Sequence, residues 1–76
     1  MIFEITFGGS VCCYVKAKNE KAAIHKAEKR GFLQTKATPL DHATACQRWQ
    51  EMAETLDELE VDFEDLSGVL RMEGLL

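Results

Sequence analysis

Apolar and polar residues alternate with period two at the start of the chain. Phe3, Ile5 and Phe7 fall on one face and Ile2, Glu4 and Thr6 on the other, which predicts a strand over residues 1–7. Gly8-Gly9-Ser10 is a hairpin turn signal, and residues 11–17 alternate again, with Val11, Cys13, Val15 and Ala17 expected inward. Asn19 is placed to cap a helix, and the run Glu20 to Arg30 is rich in the helix formers Ala, Lys and Glu. Ala23, Ile24 and Ala27 make a narrow apolar stripe, and Gly31 stands where a helix-terminating glycine belongs. Small alanines on that stripe predict a helix lying close against the sheet.

Phe32 to Ala37 is a candidate third strand. Thr38-Pro39-Leu40-Asp41 then reads as a helix start, with Thr at the N-cap, Pro at the first helical position and an acid at the third. Leu40, Ala45, Trp49, Met52, Ala53, Leu56 and Leu59 recur at three- and four-residue intervals, so a long amphipathic helix is expected over residues 39–58. Asp62 reads as a further N-cap, with Val61 stapled to Leu66 and a short helix over 63–72 burying Phe63, Leu66, Val69 and Leu70. Gly74-Leu75-Leu76 is a frayed or docking tail. The expected fold class is α+β: one domain over residues 1–76, with a β-hairpin or three-stranded antiparallel sheet packed against two to three helices in the order β-β-α-(β)-α-α.

Composition narrows the class. With 46% hydrophobic and 29% charged residues the chain is too apolar for disorder, and 76 residues allow one small core. No apolar run reaches the ~18 residues of a membrane span, and no basic segment precedes an apolar stretch at the N-terminus, so neither a membrane protein nor a secreted precursor is expected. Three cysteines, Cys12, Cys13 and Cys46, make a poor disulfide framework and point to free thiols in a reducing cytoplasm. Neighbouring strand residues face opposite ways, so Cys12 and Cys13 share one buried site only across a bulge.

The net charge of −4 conceals a division. Residues 1–48 hold eight Lys or Arg against four acids, and residues 49–76 hold nine acids against Arg71 alone. On one long helix, Glu51/Glu54, Glu54/Asp57, Glu54/Glu58 and Asp57/Glu60 are like-charge neighbours, each costing about 0.2–0.5 kcal/mol. Asp57 and Glu58 would also lie near that helix's C-terminus, where the macrodipole disfavours anions. As helix, residues 51–65 would carry a charge every ~3 Å, close to the ~3.4 Å between phosphates of one DNA strand. The candidate partner-binding residues are therefore Glu51, Glu54, Asp57, Glu58, Glu60, Asp62, Glu64 and Asp65, with Trp49 or Met52 as an apolar anchor.

Other chemistry is poorly supported. His42 and Cys46 share a helix face, and His25 with Cys12 or Cys13 would have to complete a metal site, yet no CxxC knuckle is present. Neither histidine is locally placed as a base for a cysteine nucleophile. Gly8-Gly9 sits in a hairpin, not in a phosphate loop, and a chain this small has little room for a substrate pocket. No catalysis, metal or cofactor is expected. The basic stretch Lys18, Lys21, Lys26, Lys29 and Arg30 offers an alternative as a small nucleic-acid-binding regulator. The Trp49/Met52 stripe offers another, as an antitoxin or adapter subunit or a homodimer face.

The segment Tyr14 to Ala27 (YVKAKNEKAAIHKA), a strand ending in Val-x-Ala that passes through an Asn-Glu cap into an Ala-rich helix, resembles very small phage and mobile-element proteins, among them some anti-CRISPR proteins. It covers 14 of the 76 residues and describes a packing solution more than a function. The resemblance implies a non-catalytic, DNA-mimicking inhibitor in the cytoplasm of a bacterial host cell. Its partner would be a basic nucleic-acid-binding protein, such as a CRISPR effector (Cas) subunit, engaged without direct nucleic-acid or membrane binding. The basic first helix departs from that pattern.

Overall fold

The computed structural model describes the backbone of residues 1–76 and every side chain except those of residues 56–59. The elements in order are β1 (Ile2–Phe7), β2 (Ser10–Lys16), α1 (Glu20–Lys29), β3 (Lys36–Leu40), α2 (His42–Glu54) and α3 (Leu56–Met72). The three strands form one antiparallel sheet in the order β2-β1-β3, and the molecule is α+β. β1 and β2 join through Gly8 and Gly9 at φ 58° and 83°, the doubly positive turn that suits the strand twist.

Both faces of the sheet are covered. Phe3, Ile5, Cys13, Val15 and Ala17 pack with Ala23 and Ala27 of α1, and these two alanines, fully buried, let the helix approach closely. Ile2, Tyr14 and Leu40 pack on the opposite face with Ala45, Met52, Leu66, Val69 and Leu70 of α2 and α3. Phe7, expected to continue the inner face, is 57% exposed at the strand's end. The register slips between Ile5 and Thr6, which pair with Cys13 and Val11, so Cys12 is the extra residue of a bulge. The bulge lets Cys12 pack beside the same cluster that buries Cys13. Burial pushes the Cys13 thiol up to about 11.

Three local readings are corrected. Residues 32–35 are not strand, because α1 ends in a Schellman motif: Gly31 N–H bonds to the Glu28 carbonyl and Phe32 N–H to that of Ala27. The third strand is Lys36–Leu40, displaced past a left-handed Gln34 at φ 58°. Thr38 and Pro39 therefore pair with Glu4 and Phe3 and do not start a helix; Pro39, lacking an N–H, is tolerated because β3 is an edge strand. Asp41 caps α2, accepting from the Thr44 N–H at 2.7 Å.

The expected 39–58 helix is two helices broken at Thr55, and Asp62 is an interior residue of α3, not a cap. Packing explains the position of the break: Trp49 of α2 stacks on Phe63 of α3, which needs the chain to turn back between them at Thr55. Folding α3 back along α2 places both apolar stripes over one sheet face. α3 ends in a second Schellman motif at Gly74 (φ 77°), and Leu75 docks on the core, so the tail is docked there.

Candidate functional site

The candidate site is the solvent side of α2 and α3. With Met52 turned into the core, α2 exposes Glu51 and Glu54, and the Gln47 amide donates to Glu51 at 3.3 Å. On α3, burial of Leu66 and Leu70 fixes the inward direction. At about 100° per residue, Glu60 and Glu64 then share the outer side and are exposed. Arg71 lies on the same side.

The remaining sequence-predicted residues go elsewhere. Asp62 is about 160° around the helix from Glu60 and Glu64. It is half-buried in a groove of about 620 Å³ that it shares with Tyr14, Arg48 and Glu51. Asp65 turns toward the other sheet face, where Arg30 Nη2 lies 3.2 and 3.3 Å from its two carboxylate oxygens. Trp49 is structural, stacking on Phe63 with ring centroids 5.2 Å apart. Its indole N–H donates to Ser67 Oγ at 2.7 Å, and that hydroxyl donates to the Phe63 carbonyl. Met52 is in the core. Asp57 and Glu58 have side chains outside the described residues. Because α2 stops at Glu54 and α3 starts at Leu56, the acids on either side of Thr55 do not belong to one helix, and the unbroken charge ladder becomes two short rows.

No family model, curated protein or solved structure matches the chain.

The site's geometry is a segregation of charge across the sheet. Lys18, Lys21, Lys26, Lys29 and Arg30 belong to the α1 side, and Glu51, Glu54, Glu60 and Glu64 to the α2–α3 side. Arg30–Asp65 is the one Lys or Arg ion pair joining the two helix layers among the described residues. The other ion pairs among the described residues are Arg48 with Glu4 and Glu73 with the Met1 ammonium, and His42 Nε2 lies 3.4 Å from the second Glu73 oxygen. His42 thus faces Glu73, while Cys46 packs beside the core cluster. Among the described residues no three His, Cys, Asp or Glu side chains converge as metal ligands, and no helix is long and apolar enough to cross a membrane.

A buried polar cluster escaped the sequence reading. Glu4, 8% exposed at the centre of β1, accepts from the Tyr14 hydroxyl at 3.1 Å and from Arg48 through the same oxygen, Oε2. Burial and the Glu4 carboxylate both push the Tyr14 phenol upward. The signal was present: Glu4 is the one charged residue of β1, and a strand covered on both faces must pair its charge.

Two outcomes follow from these contacts. Partial burial, then the charges of Asp65 and Glu4, hold the Asp62 carboxyl above its usual range. A raised acid means the folded state binds an extra proton as pH falls through that range, so Asp62 opposes folding at neutral pH. Asp62→Asn is expected to raise the melting temperature at pH 7, with the gain shrinking to nothing by about pH 3, below the ordinary aspartate value; thermal scans across pH check it. Trp49→Ala should cost about 2–4 kcal/mol in urea denaturation, since a half-buried indole, its stack and its hydrogen bond are all lost. A loss below about 0.5 kcal/mol would return Trp49 to a surface role.

Proposed function

We propose that this protein is a non-catalytic binding domain that sets the acidic outer face of α2 and α3 against a basic, nucleic-acid-binding surface of another protein and so excludes the nucleic acid. The observation that carries the reading is the segregation itself. Glu51, Glu54, Glu60 and Glu64 lie exposed on the α2–α3 side of the sheet, while Lys18, Lys21, Lys26 and Lys29 lie on the α1 side. Lysines separated from these acids by a sheet and a helix layer, about 20 Å, lie beyond the ~8 Å screening length of physiological salt, so the face stays net negative even with Arg71 beside Glu60 and Glu64.

The charge pattern fits a DNA-like competitor in kind, carried by two short helical rows. The anti-CRISPR-like role, with a Cas subunit as target, is the specific form of this proposal. It is supported by the small α+β fold and the acidic face, and it is tested by titrating the protein into target-DNA binding by purified CRISPR effector complexes. Loss of DNA binding that a Glu54→Lys/Glu60→Lys/Glu64→Lys variant fails to produce is the expected result. Undiminished DNA binding by every effector at saturating protein removes the Cas assignment. Failure to compete with duplex DNA for any basic DNA-binding protein removes the wider reading.

A further inference from the structure

Along α1 the residues opposite the buried Ala23 and Ala27 are Lys21, His25 and Lys29, with Lys18 just before the helix. The four-residue spacing of Lys21, His25 and Lys29 aligns them as one ridge about 12 Å long on the solvent side of the helix, with Lys18 next to its start. All four are exposed, and among the described residues no ion pair reaches them. The other two basic residues of α1 are engaged: Lys26 donates to the Lys16 carbonyl and Arg30 to Asp65.

The outer face of α3, net acidic even with exposed Arg71 on it, offers the complementary surface. Glu60 and Glu64 are exposed there beside Val61, which is 71% exposed and has acids at both i+3 and i+4, Glu64 and Asp65. Exposed Val61 supplies an apolar contact among carboxylates. Half-buried Ile24 and Ala22 supply its counterpart beside the ridge, in a shallow depression they share with Lys18, Lys21 and His25.

We infer that the partner of the basic ridge is a second copy of this chain, the α1 ridge of one copy docking on the acidic α3 face of the next. The two surfaces lie on opposite sides of the sheet, so they cannot meet within one molecule. A contact between two different surfaces is heterologous and leaves a free acidic face at one end and a free ridge at the other, so assembly continues past the dimer. Duplex DNA is a poorer occupant of the ridge, because the chain's net charge is −4 and Glu20 and Glu28 flank the lysines. The inference does not depend on an outside protein partner; it adds that self-association competes for the same acidic face.

Sedimentation velocity on the whole chain tests this. At about 20 mM salt, where screening is weak, the weight-average mass should climb with concentration past about twice 8.6 kDa, and it should return to 8.6 kDa at about 0.5 M salt. Lys21→Glu/Lys29→Glu and Glu60→Lys/Glu64→Lys should each be monomeric alone, with circular dichroism like the wild type. An equimolar mixture of the two should assemble again, because both contacts regain opposite charges. Wild-type mass fixed at 8.6 kDa up to about 1 mM at low salt overturns the inference. So does association that the variants leave unchanged, or a DNA duplex retained through Lys21 and Lys29 by a protein that stays monomeric.

Discussion

Arg48→Met is expected to lower the unfolding free energy by about 2–4 kcal/mol. Glu4 is 8% exposed, and its Oε2 is the acceptor for both Arg48 and the Tyr14 hydroxyl. Removing one partner of a buried pair typically costs about 3–5 kcal/mol because a charge is left without compensation. The figure is reduced here because 39% of the Arg48 side chain reaches water, so the pair is partly screened. For 76 residues the whole stability is on the order of 4–11 kcal/mol, so this one contact is a large share of it and its loss should lower the melting temperature markedly. Glu4→Gln in the Arg48→Met background should recover most of the loss, since an amide can still accept from Tyr14 and carries no charge. Urea denaturation of the four proteins of this cycle measures the coupling. A coupling below about 0.5 kcal/mol would show that Glu4 is solvated and that the cluster does not hold the two layers together.

Reversing Glu54, Glu60 and Glu64 to Lys is expected to weaken binding to a basic partner by about a thousandfold, or roughly 4 kcal/mol. Three exposed acids become three like charges facing the partner's cations, and such juxtapositions cost several kcal/mol in an interface. Wild-type affinity should also fall steeply with salt, and the slope should flatten in the variant. The fold should survive, since all three side chains are exposed, Glu54→Lys turns the Glu51/Glu54 repulsion of about 0.2–0.5 kcal/mol into an attraction, and the like-charge pair at 60 and 64 changes only its sign. Titration calorimetry at two salt concentrations, alongside a thermal melt, separates lost binding from lost folding. Unchanged affinity in a folded variant would move the interface off this face.

The acidic face and the buried cluster were legible to different degrees. That residues 49–76 carry excess negative charge follows from counting. Which carboxylates share a face does not, because it depends on where the helix breaks. Placing Asp62 at a cap left it on a helix end. Inside α3 it turns toward the sheet, and Asp65, only three positions on, reaches Arg30. Trp49 carried a related ambiguity: an apolar stripe at helical spacing is core by default and an interface as the alternative, and the stack on Phe63 assigns it to packing.

What the chain determined by itself is its local grammar: the hairpin with its paired glycines, the Asn19 cap and Gly31 stop of α1, the alternation that buries Phe3, Ile5, Cys13 and Val15, and the imbalance of charge. These depend on residues within a few positions of one another, where backbone sterics and capping hydrogen bonds act. Tertiary structure alone decided the break at Thr55, the pairing of Thr38-Pro39-Leu40 with β1, and the meeting of Glu4 with Arg48. Each requires contacts tens of residues apart. Covering one face of a three-stranded sheet with the apolar stripes of both α2 and α3 folds α3 back along α2, and no local window records that constraint.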